Sequence, residues 1–180
     1  MNQGLIPRRY AMALYRVDLD RGTASRTYEL MNTLQRSFDE MPDLKATVSN
    51  PFVAVGDKVK LLTTAAGATA ADTTYADFLK LLVENRRIDM IDLIARAYAD
   101  IYRRENNIRR VEVVSAAPLD PAVMQRIKDL IARELKGASM EFSTRVDPSL
   151  IGGFVINIDN ERLDASLSNQ LKELRLSLLQ

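Results

Sequence analysis

The hydrophobic period of this sequence changes near Asn106–Asn107, and the change separates two kinds of fold. Before it, apolar residues recur at the three- and four-residue spacing of amphipathic helices. After it, stretches with the two-residue period of strands alternate with helical stretches. We therefore expect an α+β protein, with a helical bundle over residues 1–106 and a small α/β domain over residues 107–180.

Six short helices are predicted in the first domain, and helices joined by short links make a compact bundle. The first helix ends near Gly22, and the second runs from about Thr23 to Met41, where Pro42 ends it. The remaining four are predicted at residues 43–49, 56–67, 72–84 and 88–104. Asp72 is the expected N-cap of the fifth helix.

The second domain is predicted to contain a strand, a helix, two strands and a final helix. The strands fall at residues 109–117, 140–146 and 154–158, and the first helix runs from Pro121 to Leu135 behind the cap Asp120. The final helix rests on the apolar stripe Leu167, Leu171, Leu174 and Leu178. A unit of roughly 75 residues has a core that is marginal but sufficient for folding.

A glycine pair, Gly152–Gly153, lies at the start of the third strand. It predicts a bulge or a close approach of another backbone, because no Cβ stands in the way. A permissive strand start is the equal alternative. Beyond the pair, Phe154, Ile156 and Ile158 should face the core, while Val155 and its alternates face water.

Composition removes most catalytic chemistry from consideration. The chain has no cysteine and no histidine, which excludes disulfides, thiolate or imidazole metal ligands and a histidine base. Its 25 basic and 24 acidic residues are balanced, which argues against nucleic acid as a partner. No uncharged apolar run approaches the roughly 18 residues of a membrane span, and no signal-peptide hydrophobic region is present, so we expect a cytosolic bacterial chain.

Two charged clusters have unremarkable explanations beside the functional ones. Glu84, Asp89 and Asp92 stand near Arg86–Arg87, and together they could form an acid–base cluster. Charges at a helix boundary, however, usually belong to the solvated surface. Arg8–Arg9 opposes the dipole of the first helix, which indicates either a partner or side chains spread over the bundle surface. We predict no catalytic, cofactor or metal site.

Several segments resemble one known family, and they are spread along the whole chain. They are RRYAMALY at residues 8–15, NPFV at 50–53, FLKLLVENRRI at 78–88, VEVVSAAPL at 111–119, VDPSLIGGFVINI at 146–158 and RLDASLSNQL at 162–171. The last two are the most specific. The chain resembles the delta subunit of the bacterial F-type ATP synthase, a relative of the mitochondrial oligomycin-sensitivity-conferring protein.

That resemblance implies a non-catalytic stator subunit, peripheral on the cytoplasmic face of the bacterial inner membrane and reaching the membrane only through its complex. Family members join the catalytic head to the b subunits of the peripheral stalk through the second domain. A groove between their first and fifth helices holds the N-terminal helix of an alpha subunit. On this sequence the groove residues would be Tyr10, Ala13, Leu14, Phe78, Leu81 and Leu82. Core packing is the alternative for each of these residues.

Two rival functions come from other classes of protein. A small RNA-binding or ribosome-associated protein should show a basic face and binding that weakens steeply with salt. An enzyme that uses only carboxylates and lysines should show a deep polar pocket with convergent titratable groups.

Overall fold

The computed structural model describes residues 4–135, 137–159, 161–166 and 169 of the 180-residue chain. Within these residues it contains seven α-helices and one four-stranded sheet, which confirms the α+β class. Backbone contacts divide the chain into two compact units between Glu105 and Asn106. We call them the helical unit and the sheet unit.

The described part of the helical unit has six α-helices joined by short turns. They are α1 (Leu5–Arg21), α2 (Ala24–Glu40), α3 (Pro42–Ser49), α4 (Val55–Ala66), α5 (Thr73–Glu84) and α6 (Ile91–Glu105). The backbone reverses after α1 at Gly22, whose φ of 68° suits glycine, as the sequence predicts. A 3-10 turn, Ile88–Met90, precedes α6, so the sixth helix begins later than expected.

The core of the helical unit forms where α1 and α2 pack against α6, with α4 and α5 completing it. Its fully buried side chains include Met31, Leu34, Leu62, Leu79, Leu82, Ile91, Ile94 and Tyr98. Tyrosines add directional contacts, since Tyr28 stacks on Tyr102 with ring centroids 4.2 Å apart and Tyr15 meets Tyr98 edge to face. This core fixes the positions of α1 and α5.

The sheet has the strand order β2-β1-β3-β4. The strands are β1 (Ile108–Ser115), β2 (Ser139–Val146), β3 (Gly153–Ile158) and β4 (Glu161–Ser166). β1 and β2 are parallel and are joined by α7 (Pro121–Glu134), whereas β3 runs antiparallel to both β1 and β4. The Asp120 side chain accepts a hydrogen bond from the Ala122 amide at 2.8 Å, which confirms its capping role.

The core of the sheet unit lies between α7 and one face of the central strands. Val111, Val113 and Ile156 pack there against Ile127 and Ile131 of α7. The prediction that Val155 faces water is wrong. Val114 and Val155 are partners across the β1–β3 ladder, and both are almost fully buried on the opposite face of the sheet.

The strand β4 was not predicted from the sequence. The change to a helical period was expected directly after Asp159–Asn160, but residues 161–166 form a strand that pairs with β3. Their pattern is weak because Arg162 and Asp164 alternate with a single large apolar residue, Leu163, which is 60% exposed. Charged residues on a short edge strand are common, since they discourage pairing with other chains. The predicted final helix, with Leu167, Leu171, Leu174 and Leu178, lies outside the described residues.

Candidate partner-binding groove

The helices α1 and α5 lie side by side in opposite directions. At one end, Arg21 in the last turn of α1 reaches the first turns of α5, with its Nη1 atom 3.3 Å from Thr74 Oγ1 and 3.5 Å from Asp77 Oδ2. At the other end, Ile6 near the start of α1 shares a surface depression with Leu81 and Arg87, near and just after the end of α5. The two helices therefore form the walls of a shallow surface groove.

Two adjoining depressions make up this α1–α5 groove, and Ala13 and Leu81 belong to both. One has a volume of about 390 Å³ and is lined by Ile6, Arg9, Tyr10, Ala13, Leu81 and Arg87. The other, of about 250 Å³, is lined by Ala13, Leu14, Val17, Arg21, Thr74, Asp77, Phe78 and Leu81. The lining is apolar in the middle and charged at both ends.

Five of the six residues predicted from the sequence line this groove. Ala13 is exposed, Leu81 is 43% exposed and Tyr10 is half-buried, so all three offer surface to a partner. Leu14 and Phe78 reach the groove but are mostly buried in the core. Leu82 is fully buried in the core and does not line either depression.

Sequence reasoning missed part of the lining. Ile6 and Val17 continue the α1 stripe at helical spacing, and Val17 is 41% exposed, so the periodicity contained a signal for both. No such signal marked the polar residues of the lining, because their positions depend on how α1 and α5 pair. These residues are Arg9, Arg21, Thr74, Asp77 and Arg87.

A buried carboxylate fixes α1 in the helical unit. Asp18 is fully buried, and its oxygens accept hydrogen bonds from Thr23 Oγ1 at 2.6 Å, Thr27 Oγ1 at 2.8 Å and Tyr98 Oη at 2.7 Å. Burial, together with the bond to Asp18, raises the pKa of Tyr98 far above its usual range, so the phenol stays a donor. Thr27 belongs to α2 and Tyr98 to α6, so these hydrogen bonds tie α1 to both helices. They also satisfy the carboxylate, as a buried polar group requires.

The start of α5 is held by Asp72, although not as the predicted cap. No amide of the helix donates to its side chain, which instead accepts from Arg26 Nε at 2.9 Å and from the Thr69 amide at 2.8 Å. These bonds, with the one from Arg26 the strongest, hold the pKa of Asp72 far below its ordinary value. The carboxylate thus fastens the α4–α5 loop to α2.

Asp72→Asn should destabilise the protein at neutral pH by about 2 kcal/mol, since an amide replaces a charged acceptor of several hydrogen bonds. Folding lowers the pKa of Asp72. The carboxylate therefore contributes fully to the unfolding free energy above its ordinary pKa near 3.8, and this contribution is lost as the pH falls toward its pKa in the folded protein. In urea unfolding, the difference in unfolding free energy between parent and variant should therefore be smaller at pH 3 than at pH 7. Asp20→Asn, on the exposed end of α1, is the control, and an equal loss there would contradict the assignment.

The end of α5 is formed by a left-handed residue that is not glycine. Arg86 has a φ of 54°, and the amides of Arg86 and Arg87 bond back to the carbonyls of Val83 and Leu82 at 2.9 and 2.8 Å. This turn ends the helix and places Arg87 at the groove. In the described part of the chain, the cluster of Glu84, Asp89 and Asp92 noted in the sequence is not held together by Arg86 and Arg87. Asp92 instead forms ion pairs with Lys45 at 3.1 Å and with Arg96 at 2.9 Å.

Arg86→Gly should stabilise the protein by about 0.5–1 kcal/mol, because glycine adopts the left-handed conformation without the Cβ penalty. Asn85→Gly at the preceding residue is the matched control. Asn85 has a φ of −84° and its Nδ2 donates to the Leu81 carbonyl, so glycine there should destabilise. Urea denaturation of both variants tests this, and a loss of stability in Arg86→Gly would contradict the proposed strain.

The described residues contain no metal cluster and no membrane-spanning helix. No group of three or more acidic, histidine or cysteine side chains in that part of the chain is arranged to hold a metal ion. No helix in the same residues is long and apolar enough to cross a membrane.

Comparisons with known proteins agree on one family. The sequence model of the ATP synthase delta (OSCP) subunit matches residues 6–178. Relatives described as ATP synthase subunit delta include those of Parabacteroides distasonis, 40% identical over 100% of this chain and 99% of the relative, and Phocaeicola vulgatus, 34% identical over 96% and 92%. A chain of the Toxoplasma gondii mitochondrial ATP synthase hexamer shares the fold, with a TM-score of 0.75, 23% identity and 97% of each chain covered.

Proposed function

Because the chain belongs to the ATP synthase delta (OSCP) subunit family, we propose that it is the stator subunit joining the catalytic head of a rotary ATP synthase to the peripheral stalk. The family match over residues 6–178 carries this proposal, since it includes both units of the chain. The alternative of an RNA-binding or ribosome-associated protein has no support from these matches.

The helical unit, which ends at Glu105 and has six α-helices in its described part, is the proposed attachment to the head. We assign the α1–α5 groove to the N-terminal helix of an alpha subunit. The geometry supports a helical occupant, because α1 has 17 residues and thus a length of about 25 Å, enough to lie along some four or five turns. Exposed apolar side chains in the groove, Ala13, Val17 and Leu81, suit the apolar stripe of such a helix.

The sheet unit, which begins at Asn106, is the proposed attachment to the b subunits of the stalk. Its exposed apolar side chains offer contact surface to such a partner, among them Val123 and Leu130 of α7. The complex would place the chain on the cytoplasmic face of the bacterial inner membrane, with the membrane reached only through other subunits.

The mechanism that follows is mechanical. Rotation driven by protons would turn the catalytic head together with the rotor unless a stationary link resists the torque. A link of this kind needs tight and geometrically specific contacts at both ends, which apolar helix packing with a polar rim supplies. We propose that the chain contributes no catalytic residues, and that the Asp18 and Asp72 contacts keep α1 and α5 from shifting under load.

Titration calorimetry tests the proposal. The full chain is titrated with a synthetic peptide of the first 25 or so residues of the alpha subunit from the same organism, and separately with the assembled catalytic head. One-to-one saturable binding to both is the expected result. Binding to the head but not to the peptide would overturn the groove assignment alone, and no binding to either would overturn the stator role.

A further inference from the structure

Arginine side chains that have no ion pair among the described residues gather at one end of the α1–α5 groove. Arg9 and Arg87 line the groove itself, beside Ile6 and Tyr10. Within the described residues, neither guanidinium group lies within ion-pair distance of a carboxylate. At the opposite end, by contrast, Arg21 lies 3.5 Å from Asp77. The groove is therefore positive at one end and close to neutral at the other.

The positive charge extends beyond the groove onto the outward side of α1. Arg8 and Arg16, together with Arg9, line an adjoining depression of about 510 Å³, and the side chains of both also lack an ion pair in the described part of the chain. Exposed Leu5 and half-buried Met12 supply apolar surface between them. Basic and apolar side chains thus alternate on the same surface.

The helix α1 itself does not explain these arginines. Its first turn contains no acidic residue, and the residue before it, Gly4, makes no side-chain cap. Positive side chains near a helix N-terminus oppose the macrodipole, so Arg8 and Arg9 are unfavourable in the isolated chain. A carboxylate placed beside them by a partner would offset both the dipole and the mutual repulsion of the arginines.

We propose that the helix bound in the α1–α5 groove carries carboxylate side chains that pair with Arg9 and Arg87. This inference rests on the proposed function and specifies the chemistry of its partner, a helix with an apolar stripe and an acidic flank. Among the described residues, only the end of the groove beside Ile6 has uncompensated charge, so the pairing would place the acidic end of the bound helix there. Charge complementarity of this kind contributes more to specificity and association rate than to total affinity.

The test compares charge removal at the groove with the same charge removal elsewhere. The Arg9→Gln/Arg87→Gln double variant is titrated with the alpha-subunit peptide at low and at high salt. Its control is Arg126→Gln/Arg133→Gln, which removes two exposed arginines from α7 of the other unit. A second peptide, with every Asp and Glu replaced by Asn and Gln, removes the proposed partner charges.

At low ionic strength the groove variant should bind the original peptide about fivefold more weakly than the parent, and the difference should fall below about twofold near 1 M salt, where screening is strong. The control should bind like the parent, and the neutralised peptide should not distinguish parent from groove variant. Equal binding of groove variant and control at low salt would overturn the acidic flank while leaving the proposed function intact. Failure of the unaltered chain to bind the peptide would instead overturn the groove assignment.

Discussion

Leu81→Asp should weaken binding of the alpha-subunit peptide by more than about 100-fold, because a carboxylate would be buried at an apolar contact on binding. Leu81 is the residue of α5 that lines both depressions of the α1–α5 groove, so an occupant that runs along the groove must cover it. The substitution also removes an apolar contact at the centre, where interface contacts matter most. The unfolding free energy should change little, since the leucine is 43% exposed in the isolated chain.

Leu93→Asp is a matched control for this experiment. Leu93 lies on α6, is also 43% exposed and lines neither depression. Titration calorimetry should show parent-like affinity for Leu93→Asp and no measurable binding for Leu81→Asp, with similar thermal unfolding of both. If the two variants bind the peptide equally well, the groove is not the binding site.

Helix positions could be predicted from the sequence because local signals determine them. Apolar spacing and the residues Gly22 and Pro42 set the limits of α1, α2 and α3 within a few residues of those in the structure. The fourth strand could not be predicted in the same way. Its pairing with β3 supplies the hydrogen bonds, while its own residues alternate only weakly.

The groove shows a second limit of sequence reasoning. Leu81 and Leu82 are neighbours in one apolar stripe, yet Leu81 faces the groove and Leu82 the core. A stripe at helical spacing is about 100° wide or more, so it includes both inward and outward edges. Only the packing of α5 on its neighbours decides which edge is free, and the same packing decides where Arg87 and Asp77 lie.

Asp72 illustrates a third limit. An aspartate directly before a helical pattern usually caps that helix, and the sequence contains no sign of the alternative. In the structure, Arg26, 46 residues earlier, captures the carboxylate and turns it toward α2. The guanidinium donor is itself charged, so its bond to the Asp72 carboxylate is stronger than one from a neutral helix amide, which explains why the local rule fails here.

Gly153 is the position of the sheet unit where we expect the largest loss of stability. Gly153→Ala should lower the unfolding free energy of the sheet unit by more than about 3 kcal/mol, from backbone strain and from overpacking together. The φ of Gly153 is 76°, a conformation that side chains disfavour, and an added Cβ would overlap the carbonyl oxygen of Ala165. Because that oxygen belongs to the backbone of β4, relief requires the β3–β4 ladder to move.

Of the two interpretations of the glycine pair, close backbone approach is therefore the one the structure supports at Gly153. The measurement is hydrogen exchange on the full chain, in which amides of β1 and β3 should lose protection while those of α2 and α6 keep it. Gly56→Ala, in α4, is the control, since its Cβ would meet open space and alanine favours a helix. Unchanged protection of β3 in Gly153→Ala would mean that the ladder tolerates a side chain there. Loss of protection confined to the sheet unit would also provide a chain with an intact α1–α5 groove, in which the proposed binding to the catalytic head can be tested separately from the proposed binding to the stalk.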